Sequence, residues 1–309
     1  MNAPIAVWLE GDASPEVARA LASAGRSIEA IGAQRTSSLA AFELAASATA
    51  YSDPRTMARE VPQLPIFIVG PAKRETIMAL AEHGAPGRTL ACQHVPMLGR
   101  IPVDTWAAVE RVPGFARGAE VSWMAENVEE LGPAQQVQCT AWWPAPAAAL
   151  SSLLDDALEA VVRVMGEPSR VAARASSSLE GIDEARAFLR DGHGSVAILL
   201  EGSNGTTSTI SISNAAGGVL REIRAHGSDW AAMAGPGWTE LVGDGSTVTR
   251  VRETPLQALE QQLRRLGSGD PLALPMTLLA WVSCATAHSL ATDEPCYVAE
   301  ASRMVPQDS

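Results

Sequence analysis

Residues 5–92 alternate short apolar runs with helix-patterned segments, and this alternation constrains the fold more than any other feature of the chain. Ile5–Leu9 reads as a buried strand. Ser14 then supplies an N-cap and Pro15 a first helical residue, which opens a helix over Pro15–Ala24. Ile28–Ile31 reads as a second strand, Leu39–Ala48 as a helix, Thr49–Tyr51 as a brief third strand, and Pro54–Glu60 as a helix. The clearest strand is Leu64–Val69, closed by Gly70-Pro71; Lys73–Glu82 is helical and stops at Gly84, and Arg88–Cys92 is the fifth strand. Each strand is followed by a helix, so successive strands are expected to lie parallel with helices on both faces.

The second half changes character. Gln135–Trp143 alternates like a strand with one open face, and Leu150–Met165 is a helix stopped by Gly166. Val171–Ser176, Ser195–Glu201 and Thr206–Ser213 read as antiparallel strands, the last two joined by the hairpin tetrapeptide Gly202-Ser203-Asn204-Gly205. Strand-like pieces follow at Leu220–Ala225, Trp238–Val242 and Thr247–Arg252, then helices over Pro255–Leu266 and Pro271–Leu290. The expectation is an α/β Rossmann-like N-terminal domain over residues 1–98. An α+β domain with a mainly antiparallel open sheet follows over 99–309, its last helices free to pack back on the first domain.

Composition narrows the partners. At 47% hydrophobic content the chain can build a substantial core. A formal charge of −12 without a basic patch argues against nucleic acid and anionic membrane. Cys92, Cys139, Cys284 and Cys296 show neither CxxC spacing nor a paired framework, so the expected setting is a reduced cytoplasmic one without structural zinc. The apolar stretch Leu272–Ala287 is broken by Pro275 and falls short of the roughly 20 residues a membrane span needs.

Three features in order carry a family resemblance: a helix closing in Gly166-Glu167-Pro168, a hairpin around Asn204-Gly205, and the terminal helix followed by Thr292-Asp293-Glu294-Pro295-Cys296-Tyr297-Val298. Together they resemble the Gfo/Idh/MocA sugar oxidoreductases across nearly the whole chain. The resemblance implies an NAD(P) site at the end of the first strand, a lysine base after the fifth, and a histidine with acids on the helix before Gly166.

Against that pattern the chain departs at each functional position. The loop Glu10-Gly11-Asp12-Ala13-Ser14-Pro15 keeps only Gly11 of a G-x-G-x-x-G fingerprint. Glu10 and Asp12 set carboxylates where a phosphate would sit; like charges about 4 Å apart repel by about 4 kcal/mol at an effective dielectric of 20. Asp12 and Ser14 also read as helix caps. The second strand ends in Gln34-Arg35 in place of a ribose-binding acid, and Arg35 either meets a 2′-phosphate, which favours NADP, or lies solvated in its loop. The family's Glu-Lys-Pro falls on Cys92-Gln93-His94-Val95-Pro96, which puts His94 in the lysine's place. The helix acid and histidine fall on Ser152, Asp156 and Glu159. Lys73, the only lysine in the chain, follows Gly70-Pro71 and is either a phosphate contact or a solvated charge in a first helical turn.

The candidate site is therefore His94, Asp156 and Glu159 for catalysis, with Gly11, Ser14, Arg35, Pro71 and Lys73 around a cofactor that is either NAD(P) or absent. Three readings follow. The first is a catalytically silent pseudoenzyme serving as a subunit, scaffold or ligand-sensing partner. The second is an active NAD(P)-dependent oxidoreductase on a sugar or cyclitol, with His94 as base and Asp156 or Glu159 beside it. The third is lyase or isomerase action by Asp155, Asp156 and Glu159. Alternating hydroxyl and apolar residues in Val196–Leu200 and Thr206–Ser213 suggest a flat face for homo- or hetero-oligomer contact, and the adjacent Trp142 and Trp143 are expected to face opposite ways.

Overall fold

The structure, a computed structural model, describes residues 4–10, 15–34, 47–85, 88–94, 105, 109–111, 115–144, 149–176, 179–243, 246–251, 255–266 and 276–304. Two sheets organise it. The first contains β1 (Ile5–Leu9), β2 (Ile28–Ala33), β3 (Thr49–Tyr51), β4 (Ile66–Pro71), β5 (Leu90–His94) and β6 (Val109–Arg111). Its order is β3-β2-β1-β4-β5-β6 and every pairing is parallel. This is the doubly wound order, with a topological switch between β1 and β4. β6 lies beyond residue 98, so the parallel sheet extends past the boundary set from sequence. The helix expected over Leu39–Ala48 falls almost wholly outside the described residues.

Both faces of this sheet are buried, which is why its strands read as apolar runs. Ile5, Val7 and Leu9 point to one side, against α1 (Pro15–Ser23) and Leu259, Leu263 and Leu266. The first two of those leucines lie on α7 (Pro255–Arg265), a helix from the far end of the chain. Arg26 ties it there by donating to the carbonyls of Leu263 and Leu266 at the helix end, at 3.0 and 2.6 Å. Ala6 and Trp8 point to the other side, toward Met57 and Ala58 of α2 (Pro54–Glu60) and Ile77 and Leu80 of α3 (Arg74–Glu82). Trp8 pairs with Gly32 in register, and a Cβ on Gly32 would collide with the indole. The glycine is what lets the large ring lie flat on the sheet.

The second sheet contains β7 (Gln136–Trp142), β8 (Pro168–Ala175), β9 (Ser195–Gly202), β10 (Thr207–Ser213), β11 (Leu220–His226), β12 (Trp230–Gly235), β13 (Trp238–Gly243), β14 (Ser246–Val251) and β15 (Cys296–Tyr297). Its order is β14-β13-β12-β11-β7-β10-β9-β8-β15; only β7 and β10 pair in parallel. The β9–β10 hairpin turns as its sequence requires: Gly205 has φ 86°, and Asn204 Oδ1 accepts the Thr206 amide at 3.0 Å.

Helices cover one face of this sheet. α5 (Leu150–Met165) packs on β7 and β10 and is buried along nearly its whole length, between the sheet, α4 (Ala119–Leu131) and α8 (Met276–Thr292). Gly166 ends it with φ 87°, a conformation glycine adopts without strain. α8 also packs on α6 (Ile182–Asp191) and β8, and α9 (Val298–Ala301) closes the described chain. Ser289 of α8 accepts the Ala173 amide of β8 at 2.9 Å inside the core. Among the described residues, no helix is long and apolar enough to cross a membrane, and no group of His, Cys, Asp and Glu could hold a metal ion. The four cysteines are free and buried.

Candidate functional site

In an open α/β sheet, ligands bind outside the carboxyl ends of the strands, at the switch point. Here that point is the junction of Glu10, just past β1, with the end of β4. The Glu10 amide donates to Val69 of β4 at 3.0 Å, and the Glu10 side chain is fully buried (0% exposed). Trp8 Nε1 donates to its Oε1 at 3.3 Å. Its Oε2 lies 3.2 Å from Lys73 Nζ but has no hydrogen-bond partner among the described residues, so the contact is an ion pair without hydrogen-bond geometry. Lys73 occupies the N-cap position of α3, and Nζ donates to Gln34 Oε1 at 2.9 Å. Gln34 follows the last residue of β2. The lysine thus reaches from the β4–α3 junction over the end of β1 to the end of β2.

For Glu10 this differs from the electrostatics expected from sequence, while Asp12 lies outside the described residues. Glu10 does not present a bare carboxylate to an incoming phosphate, because it lies beneath Lys73, whose side chain is 50% exposed. Nor is Lys73 a purely solvated charge. The Glu10 charge also reaches Cys92 on β5, whose thiol is pushed up to about 12, mainly by burial and secondarily by that carboxylate. Pro71 and His94 pair in register at the ends of β4 and β5, which places the His94 backbone at the same strand-end edge. Gly11, Ser14 and Arg35 lie outside the described residues.

The α5 carboxylates form a second, separate arrangement. Asp156 is buried; its Oδ2 accepts the Phe115 amide and its Oδ1 the Ala116 amide, both at 3.2 Å. These amides belong to a 3₁₀ turn, Phe115–Arg117, laid against the helix. Arg163 Nη1, two turns further along α5, donates to the Ala116 carbonyl of the same turn at 2.6 Å. Arg221 Nη1 on β11 sits 3.5 Å from Asp156 Oδ2, and its guanidinium lies 4.6 Å from the centroid of the Trp143 ring. Asp155 lies 3.5 Å from the Ser283 hydroxyl, and Glu159 is buried. The sequence pattern found the acids but missed the turn and Arg221, which come from distant segments.

Trp142 and Trp143 face opposite ways, as alternation requires. Trp143 packs on the core, while Trp142 is 37% exposed on the uncovered face of the second sheet and donates to Ser211 at 3.3 Å. A shallow concavity of about 570 Å³ on that face is lined by Trp142, Ser195, Ser211, Val219 and Leu220.

A scan against family models finds no match, and no curated protein matches by sequence. Solved structures do match over the whole molecule. A levoglucosan dehydrogenase in complex with NADH and L-sorbose has a TM-score of 0.72 at 15% identity, covering 100% of both chains. An NAD-binding oxidoreductase from Klebsiella pneumoniae gives 0.73 at 14% identity, covering 96% of this chain and 99% of that one. A probable dehydrogenase from Thermotoga maritima gives 0.69 at 19% identity, over 96% and 99%. The fold is therefore the two-domain fold that these dehydrogenases share.

The described strand-end residues offer groups that could hold an anionic ligand. An exposed ammonium stands over a buried carboxylate at the switch point, and Gln34 at the end of β2 can accept or donate one hydrogen bond to a ribose hydroxyl.

Proposed function

We propose that this chain is a ligand-sensing member of the Gfo/Idh/MocA fold that keeps a nucleotide crevice and has lost hydride transfer. One observation carries the reading. The resemblance sets the family's catalytic histidine on Asp156, and both oxygens of that carboxylate accept buried backbone amides, with Arg221 beside it. An acid held in this way positions a turn; it is not poised to take a proton from a carbinol. A bound nicotinamide would supply the hydride acceptor. The chain's own contribution is Lys73 toward phosphate and Gln34 toward ribose. The uncovered sheet face with Trp142, Leu199 and Leu220 suits contact with a second copy or a partner subunit.

Two measurements on purified protein test this. Thermal melts with NAD, NADP and their reduced forms read binding, since a ligand at a hundred times its Kd stabilises by about 2.7 kcal/mol, a shift of several degrees. Hydride transfer is then followed by nicotinamide absorbance at substrate-level protein with a panel of sugars and cyclitols. The expected result is a shift without transfer.

Turnover would instead support an active NAD(P)-dependent oxidoreductase with His94 as base. That second reading draws on the position of the His94 backbone at the β5 end, in register with Pro71. Chemistry by the α5 carboxylates alone has less support, because Asp155, Asp156 and Glu159 are all buried.

A further inference from the structure

We propose that Arg221 is the recognition residue of a second ligand site, at the junction of α5 and β11, which takes the carboxylate of a small organic acid. Strand alternation puts Arg221 on the helix-covered side of β11 with Ile223 and Ala225, both fully buried. A charge on that face needs a reason. Elsewhere in the chain, arginines that hold structure do so through backbone carbonyls. Arg26 donates to Leu263 and Leu266, Arg88 to Ala58, Val61 and Pro62, and Arg163 to Ala116. Arg221 has no such bond. Among the described residues its Nε, shut off from solvent, has no hydrogen-bond partner, and its ion pair with Asp156 is long, Nη1 to Oδ2 at 3.5 Å. Both Asp156 oxygens already accept amides, so the acid has partners besides the arginine.

What holds the guanidinium is Trp143, whose ring centroid lies 4.6 Å beneath it. Stacking fixes the planar group without using its N–H donors. The side chain is 23% exposed, and with Nε enclosed a ligand meets it through the Nη groups. Each Nη carries two N–H bonds, and the outer one of each points forward in parallel, matching the two oxygens of a carboxylate. Charge decides between anions. Arg221 and Asp156 balance as they stand, so a carboxylate leaves one negative charge in excess, whereas a phosphate leaves about two beside a buried acid. Glu222, the next residue, is paired with Arg224. The Trp143 ring also offers an apolar wall to the carbon atoms of the acid. Trp143 and Asp156 are thus positioning residues, and Arg221 is the contact. The site needs neither a nucleotide nor hydride transfer.

Isothermal titration of the full chain at constant ionic strength tests the proposal. The probes are L-lactate and D-glucuronate, their uncharged counterparts L-lactamide and D-glucose, and inorganic phosphate. At least one carboxylate is expected to bind about tenfold or more tighter than its uncharged counterpart and than phosphate. Arg221→Gln should weaken that probe about tenfold or more. Arg221→Lys keeps the charge beside Asp156 but not the fork, so it should lose most of the same affinity while urea unfolding shows an intact fold. It reads the fork even if Arg221→Gln does not fold. Equal binding of charged and uncharged probes would overturn the proposal, as would unchanged affinity in a folded Arg221 variant. Tighter binding of phosphate, or a wild type that binds neither carboxylate, would overturn it too. None of these results bears on the strand-end crevice, which the melts with dinucleotides read separately.

Discussion

Asp156→Ala separates a structural acid from a catalytic one. The substitution removes the acceptor for two buried amides, those of Phe115 and Ala116, which lie 3.2 Å from the carboxylate. Each buried N–H left without a partner costs about 1–3 kcal/mol. Arg221 also loses a partner at 3.5 Å, but its side chain is 23% exposed, and solvent limits that loss to about 1 kcal/mol or less. The expected destabilisation is about 3–5 kcal/mol, in the range reserved for broken buried networks. Asp156→Asn keeps one acceptor oxygen but turns an NH₂ toward the other amide, so about 1–3 kcal/mol is expected. Urea unfolding followed by tryptophan fluorescence reads both variants, and an unchanged m-value assigns the change to stability. Stability of Asp156→Ala within about 0.5 kcal/mol of wild type would refute the argument. The amides would then have other acceptors, and the carboxylate would be free for proton transfer.

Other perturbations have equally definite outcomes. Gly32→Ala drives a Cβ into the Trp8 ring and should cost about 1–3 kcal/mol, with a shift in tryptophan emission as the indole moves. Ser289→Ala removes the acceptor of the buried Ala173 amide and should lower the urea midpoint by an equivalent of about 1–3 kcal/mol. Burial raises the Cys92 thiol to about 12 and raises Cys139, Cys284 and Cys296 as well, so a thiol reagent at pH 8 should label the native protein slowly and the urea-unfolded protein at all four sites. Unfolded thiols ionise first, near 9, so the native state binds more protons between there and about 12. Stability should therefore fall as pH rises through that window, and a flat pH–stability curve there would contradict the burial.

What the sequence made legible follows from what each strand faces. β1 and β4 are buried on both sides and appear as unbroken apolar runs, and β7 has one open face and alternates. β12 was missed because Trp-Ala-Ala-Met-Ala-Gly carries neither β-branched residues nor clear alternation; its pairing with β11 and β13 decides its state. α6 was missed although Gly181 and Gly192 bracket an amphipathic decapeptide, because it sits inside a stretch otherwise read as strands. The site was less legible than the fold. Glu10 and Lys73 are 63 positions apart and meet only because β1 and β4 are neighbours at the switch of a parallel sheet. Read alone, each looked like a charge facing solvent or a ligand.

The same distance effect applies to α5, where the resemblance placed the acids but could not show what they hold. An imidazole has at most one accepting nitrogen, so a histidine at position 156 could not satisfy both the Phe115 and Ala116 amides. A carboxylate has two oxygens and can take one amide on each while still facing Arg221. The acid at 156 is therefore matched to the 3₁₀ turn laid over α5, and Arg163 secures the same turn through the Ala116 carbonyl. Under the proposed reading, the side chain that holds the turn is committed to two amides and is not poised for proton transfer. The strand-end crevice is built from other strands and keeps its own cation. The strand-end residues and the α5 acid therefore lie on separate elements, so variants at Lys73 and at Asp156 test the two parts of the proposed reading independently.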